Sequence, residues 1–415
     1  MANFFKKYYY VIIFAILLVM FLPRSLFTPA LTDTRAIITG ISIDKEEDEY
    51  TIALQLITPQ SNISNNENLE IIEDSGTTIF ECFNNLSIKL GKVVGLEHAN
   101  IIILSSDLAG DDVMNLFDYF YRNSKITMST IILQTDSDAK KLLETSAELN
   151  NNSSSSLSNN LGFNNSIIET SNITTLGTFF NDYFSFSKVS LVPYIELPKE
   201  ESGEAGSSGG ESSSEGESQQ GSSGGSGGGS SVQPLVQNNG KSTIYKNGKL
   251  FATLSKELST GFSWLDNDTY LGNIKLENVT DKKFYNNSTV TIKVENSKRN
   301  IKTKVKNDRL IVDIGISVYC QVSEILDFMG RSESVMVSSN NYLTDELISR
   351  IQDSIKTTIL DSLEYSKENN VDAFKLYDKF YKYNNKEFRK VLNKVGTDYL
   401  NNVEFNFDIN IYPFK

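Results

Sequence analysis

Apolar residues follow three rhythms along this chain: one unbroken run, several short strand-like runs, and several helical stripes. The unbroken run is Tyr8 to Leu22, preceded by Lys6 and Lys7 and closed by Pro23 and Arg24. Positive charge ahead of such a run marks a segment handed to the export machinery with its N-terminus held inside. About fifteen residues span roughly 22 Å as a helix, short of the about 20 residues a membrane span wants. Phe4 and Phe5 can lengthen it, and Tyr8 to Tyr10 can sit at the interface. An uncleaved anchor is the leading expectation. A cleaved signal ending at Thr28-Pro29-Ala30, with a proline beside the cut, and a buried core helix are the alternatives. No cysteine follows the run closely enough for lipid attachment.

Beyond it, Ala36 to Ile43 and Tyr50 to Thr58 are β-rich runs separated by the acidic stretch Asp44 to Glu49, a predicted hairpin. Gly76 to Leu90 carries Ile79, Phe83, Leu86 and Leu90 at helical spacing, with Gly91 as the stop. Asn100 to Leu104 and Thr127 to Leu133 read as buried strands. Asp111 and Asp112 open a helix through Phe120, placed where its dipole favours acids. Asp136 and Ser137 are the expected cap of a helix bearing Ala139, Leu142 and Leu143. A helix over 167–186 and a strand over 188–197 follow. This alternation predicts a two- or three-layer α/β domain with right-handed crossovers.

The stretch 149–160 is rich in Asn and Ser, and Lys199 to Ser231 is Gly, Ser and Glu with nothing to bury. Such a composition predicts a loop and a flexible linker or insertion. After it, Asn247-Gly248 between apolar runs is the strongest hairpin signal in the chain. Strands are predicted over 290–294 and 310–322. A long helix capped by Thr344 runs to about Glu368, apolar at Leu347, Ile348, Ile351, Ile355, Ile359 and Leu363. Two shorter helices, 372–381 and 386–400, precede a last strand over 403–411. This half reads as α+β.

Net charge is −13 over 415 residues and unevenly placed. Leu31 to Pro198 holds 9 basic and 23 acidic residues, whereas Lys241 to Lys415 holds 26 and 23. The acidic half argues against nucleic acid, which rewards clustered Lys and Arg. The near-neutral half can lie closer to an anionic membrane or a partner, or reflect ordinary surface variation. Cys82 and Cys320 are the only cysteines and His98 the only histidine. Buried thiols, or at most one disulfide, are expected. Zinc hydrolase and Cys-His chemistries lack their usual parts, and there is no nucleophile elbow or phosphate-cradling glycine loop.

Three blocks resemble the C subunit of spore germinant receptors, the GerAC-like Ger(x)C family. They are RAIITGISID from Arg35; Ser75 to Leu143, with SGTTIFECFNNL, GLEHANIIILSSDLA, LFDYFYRNSKITMSTIIL and AKKLL in order; and KNGKLFATLSKELSTGFSWL with NNVDAFKLYDKFYKYNNKEFRKV in the C-terminal half. The resemblance implies a non-enzymatic extracytoplasmic protein of three domains, without cofactor, metal or catalytic residues. It would work with A-type and B-type integral-membrane subunits at the spore inner membrane in nutrient-triggered germination. The expected domains are an anchor or signal over 1–30, an α/β domain with a mixed sheet over 31–148, a small central domain over 165–275 interrupted by 199–232, and an α+β domain with a long helix over 276–415. This chain departs from the family in lacking a lipidated cysteine and in carrying the Gly/Ser/Glu-rich insertion. Loop closure costs only about 0.6 kcal/mol per doubling of length, so an insertion is tolerable.

Arg35, Arg122 and Asp372 occupy matching family positions and are expected as structural ion pairs or caps, with partner contacts as the alternative. Trp264 and Phe262 are expected in core or domain-interface packing, with a ligand platform as the alternative, and His98 is expected as a hydrogen-bonded turn residue rather than a catalytic one. A stand-alone extracytoplasmic solute-binding or adhesion module is the competing function.

Overall fold

A computed structural model of the chain describes residues 35–58, 68–122, 126–149, 173–196, 240–266, 272–280, 287–326 and 343–414, together with Tyr9. The run Tyr8–Leu22 (Tyr9 apart), the Asn/Ser-rich stretch and the insertion 199–232 lie outside the described residues, so the anchor, loop and linker expectations are not addressed by it.

The N-terminal half is built on one mixed sheet. Strands β1 (Arg35–Glu46) and β2 (Glu49–Thr58) form the expected hairpin, with Glu47 left-handed at its turn. β3 (Asn68–Gly76) pairs antiparallel with β2, while β4 (Val93–Gly95) and β5 (Ile101–Ser105) pair parallel with β1, and β6 (Ile131–Thr135) with β5. A register shift between Ile38 and Gly40 puts Ile38 and Ile41 on one face of β1. That face meets α1 (Ile79–Leu90) and α2 (Val113–Arg122), whose Phe83, Leu86, Phe117 and Phe120 close over it. The opposite face, through Ile101, Ile103 and Leu133, packs on α3 (Ala139–Leu149). The result is a three-layer α/β arrangement in which β1 and β5 have no solvent side. Full burial of both faces explains why their sequences run apolar without alternation. Gly91 ends α1 at φ 63°, a conformation glycine adopts without strain. Asp112 caps α2 by accepting from Met114 N, and Asp138, next after the expected Asp136–Ser137 pair, caps α3.

A second sheet is small and antiparallel: β7 (Val189–Pro193), β8 (Ser242–Lys246) and β9 (Lys249–Thr253). Asn247 and Gly248, both at positive φ, make the tight turn between β8 and β9. Alternate residues of this sheet enter different cores. Val189, Leu191 and Ile244 join the C-terminal core, whereas Val192 and Tyr245 join the N-terminal one. The sheet therefore lies between the two halves, preceded by helix α4 (Leu176–Tyr183), capped at Thr175. Residues 167–172 of the helix expected over 167–186 lie outside the described residues.

The third sheet has the order β10 (Gly272–Val279), β11 (Ser288–Lys306), β12 (Arg309–Leu326), β13 (Val403–Pro413), with β13 parallel to β12. Asn307 and Asp308, both at positive φ, turn the long β11–β12 hairpin. One face is covered by α5 (Lys256–Asp266), α6 (Asp345–Glu368) and α7 (Leu376–Val395). Thr344 Oγ1 accepts from Leu347 N at the start of α6, and its apolar stripe is buried from Leu347 to Leu363. Gly261 lets α5 press against α6: a Cβ there would run into Ser362 Oγ and the Thr358 carbonyl. The two expected terminal helices are the two segments of α7, which meet at non-helical Asn384; the second ends at Val395 and a 3₁₀ stretch over Gly396–Asn402 follows.

Candidate functional site

Among the described residues, a densely connected polar cluster sits where the small sheet meets α7. After α4 the chain turns through Ser185 to Lys188, with Lys188 left-handed, and enters β7. Before α7, Asn370 and Lys375 are likewise left-handed, so two tight turns face one another. Asp372, 6% exposed, lies between them. Its carboxylate accepts from Leu376 N and Tyr377 N at 2.8 Å, from Tyr399 Oη at 2.6 Å and from Ser187 Oγ at 2.6 Å. It thus caps α7 from outside the helix, where Lys375 offers no side-chain cap. Asp378 reaches the other way, accepting from Phe186 N at 3.0 Å, Ser187 N at 3.2 Å and Ser187 Oγ at 2.8 Å. Both carboxylates lie at the start of α7, where the helix dipole favours negative charge. Ser187 has one hydroxyl hydrogen for two carboxylates.

Around this centre, Lys375 Nζ pairs with buried Asp182 at 2.6 Å, and Asp182 also accepts from Ser190 Oγ at 3.1 Å. Lys246 Nζ donates to the Asn370 carbonyl at 2.9 Å. Phe186 packs on Tyr377 and Tyr381, with ring centroids 5.2 and 4.4 Å apart. Burial, with Asp372 beside it, pushes the Tyr399 phenol well above its usual range, so it acts as a donor. On the N-terminal side, Tyr245 Oη donates to buried Gln134 Oε1 at 2.5 Å. Val113 N donates to the Gly248 carbonyl at 2.9 Å, and Tyr183 Oη to Asp112 at 3.1 Å. Every one of these groups is a satisfied donor or acceptor joining two parts of the chain. The arrangement can fix orientation and transmit strain; it presents no activated nucleophile.

The other residues singled out in the sequence are dispersed. Arg35 pairs with Glu97 at 3.0 Å at the start of β1, and Arg122 with Asp118 at 2.6 Å on the exposed side of α2. Both are structural ion pairs, as expected. Phe262 and Trp264 are buried in the C-terminal core, with Phe262 stacked on Phe374 at 4.8 Å. His98 is exposed in the turn before β5 and makes no side-chain hydrogen bond among the described residues, unlike the expectation. Cys82 and Cys320 are free and buried, their thiols pushed up to about 11 and about 12 by desolvation. Thiols so far above neutrality are poor nucleophiles. Asp44, at the end of β1 and accepting from Ala139 N, is raised to about 6 by burial and by the nearby Asp138 and Asp107 carboxylates.

Among the described residues, two clefts are notable. One of about 700 Å³ lies between the start of α1 and α2, lined by Tyr50, Thr77, Phe80, Tyr119 and Arg122. A smaller one of about 390 Å³ lies beside Trp264, with Lys256, Glu257 and Lys275 at its rim. Among the described residues no cluster of His, Cys, Asp or Glu is placed to hold a metal ion, and no helix is long and apolar enough to cross a membrane.

Comparison with known families places both halves of this architecture. Residues 31–197 match the spore germination protein N-terminal domain, and residues 239–412 match the spore germination B3/GerAC-like C-terminal domain. The chain belongs to the Ger(x)C family of spore germination proteins. Among Ger(x)C relatives, YfkR of Bacillus subtilis (strain 168), whose name marks it as a spore germination protein, is 26% identical over 182 residues. That similarity spans 42% of this chain and 46% of YfkR, so it covers less than half of the relative's length. The crystal structure of the GerBC protein shares the fold, with a TM-score of 0.50 and 15% identity over 91% of this chain and 97% of that one. In Ger(x)C terms, the Asp372 cluster joins the two matched regions: Ser187 and Asp182 lie in the first, Asp372, Lys375 and Asp378 in the second. Sequence reading found Asp372 but not Asp182, Ser187 or Asp378. The one available signal was the unusual density of charge and aromatics from Val371 to Tyr383.

Proposed function

We propose that this chain is a non-enzymatic, extracytoplasmic subunit of a germinant-receptor-like complex, contributing to nutrient-triggered spore germination. The observation that carries the reading is the pair of spore germination domain matches, in order, over residues 31–197 and 239–412. The partners in this reading are an A-type and a B-type integral-membrane subunit. The chain is held at the outer face of the spore inner membrane by the apolar run Tyr8–Leu22, in place of a lipid. Its domains are 31–148, 165–275 interrupted by 199–232, and 276–415, with the small sheet as the coupling piece. The satisfied polar junction supports a role in holding and relaying orientation, because its groups are spent on one another and none is left poised for chemistry. Purification from membranes of the source cells in mild detergent tests the reading. Recovery with two multi-span membrane proteins in constant ratio is the expected result; recovery as a lone chain from cells that make such proteins contradicts it. N-terminal sequencing of the mature chain tests the anchor, since a start near Leu31 means the run is removed.

A further inference from the structure

The outer side of α7 carries a charge pattern that the fold does not use. Beyond the kink at Asn384, Lys386, Lys390 and Lys394 follow at i,i+4 spacing, with exposed Arg389 beside them, and Lys382 precedes the kink. Like charges at that spacing disfavour a helix, and in a chain of net charge −13 such a row is out of character. Lys394 is matched by Asp308 of the β11–β12 turn at 2.5 Å, and Asp378 is turned inward to Ser187. Glu387 is the remaining carboxylate on the helix. Lys382, Lys386 and Lys390 have no carboxylate within ion-pair distance among the described residues; Lys390 only helps Lys394 hold down the Asp308 carboxyl through space. Tyr383, 66% exposed, stands in the same row, with Lys382 Nζ 5.3 Å from its ring centroid. The buried side of α7, through Leu376, Phe380, Phe388 and Val391, anchors this row to the C-terminal core.

We propose that the outer side of α7 is the face by which the chain lies against an anionic lipid surface, an assignment that rests on the membrane-side placement argued above. Several features favour lipid over an acidic protein. The surface is a convex helix side, and the two clefts described above lie elsewhere. The unpaired charges are lysines, point charges suited to a diffuse negative surface, whereas arginine forks suit individual carboxylates. A tyrosine placed among them suits the headgroup layer. The acidic N-terminal half would be repelled by such a surface, so the charge asymmetry also sets which way the molecule faces.

The test uses the full chain reconstituted through its own N-terminal segment into vesicles of phosphatidylcholine, or of phosphatidylcholine with about three-tenths phosphatidylglycerol. A fluorophore goes on Asn393→Cys, an exposed position in the row; native Cys82 and Cys320 are buried and spared. Energy transfer to headgroup acceptors reports docking. High transfer is expected only in anionic vesicles, falling in about 0.5 M salt. The triple change Lys382→Glu, Lys386→Glu and Lys390→Glu should lower the ratio of docked to free chain at least about a hundredfold, roughly fivefold for each lysine charge removed before the added repulsion. The same three positions changed to Arg should keep it, as should Lys92→Glu, Lys249→Glu and Lys298→Glu together, a charge-matched control. Equal transfer in both vesicles, insensitivity to the triple reversal, or equal loss in the control overturns the proposal. So does capture of a polyglutamate peptide by the row while the probe stays far from both vesicles, which would assign the face to an acidic protein. The vesicles hold no protein besides this chain, so a negative result leaves the co-purification test of the receptor reading untouched.

Discussion

Replacing Asp372 by Ala should be the most damaging single change at the junction. The carboxylate serves four donors: Ser187 Oγ, Tyr399 Oη, Leu376 N and Tyr377 N. Ser187 keeps Asp378 as an acceptor at 2.8 Å. Tyr399 and Leu376 are buried, and with the half-buried Tyr377 amide they make three donors that lose their acceptor. A buried donor left unsatisfied costs about 1–3 kcal/mol. The losses overlap because the groups share one carboxylate, so about 3–6 kcal/mol is expected in total. Asp372→Asn keeps the shape but points an amide at the donors, for about 2–3 kcal/mol. Ser187→Ala removes one shared hydroxyl and should cost about 1 kcal/mol. Urea unfolding followed by Trp264 fluorescence measures this, because that sole tryptophan is buried in the C-terminal core into which α7 packs. A loss below about 1 kcal/mol for Asp372→Ala, or one no larger than that of Ser187→Ala, would refute the view that this carboxylate organises the junction.

The remaining expectations concern the layers on either side. Asp44 is raised from 3.8 to about 6 on folding, so the folded chain binds a proton that the unfolded chain has lost between those values. Stability from this group is complete below about pH 4 and declines as pH rises through 6, by at most about 3 kcal/mol before solvent screening of a partly exposed side chain. Asp44→Asn should therefore raise the melting temperature at pH 8 and leave it unchanged at pH 4; a rise at pH 4 would contradict this. Gly261→Ala should cost about 2–4 kcal/mol by forcing α5 off α6, read by the same urea curves. Tyr245→Phe strands buried Gln134 Oε1 and should cost about 1–2 kcal/mol, with no change at surface Tyr383→Phe.

What could be read in the sequence depended on whether the deciding interactions were local. The long helix α6 was legible because Thr344 and a regular apolar stripe specify it within its own length. The β8–β9 turn was legible because Asn-Gly suits two positive φ angles, and Phe262 and Trp264 were legible as core. β3 was missed because an edge strand, NLEIIEDSG, shows charges where a central strand shows apolar residues. Helix α5 was missed because Ser, Thr and Gly in KELSTGFSWLD are weak helix formers; Gly261 sits where α5 meets α6 closely, and Ser259 spends its hydroxyl on the Ser255 carbonyl. The β11–β12 hairpin was shortened because the outward-facing Lys298, Lys302, Lys304 and Lys306 make this stretch polar, and only pairing with β12 extends the strand. At the junction, Asp372 meets Ser187 across 185 residues of chain, and no local pattern announces such a pairing. The two-sided small sheet was illegible for the same reason: Leu191 and Val192 are neighbours in sequence and enter different cores.

The central claim is that this Ger(x)C chain takes part in nutrient-triggered germination. Its direct test is the germination rate of spores from the source cells with the gene deleted, measured by loss of optical density across a panel of nutrients, then restored with the wild-type chain or with Asp372→Ala. The response to at least one nutrient should be lost on deletion, return with the wild-type chain and return poorly with the variant. An unchanged response to every nutrient after deletion, in cells shown to make the chain, would contradict the account.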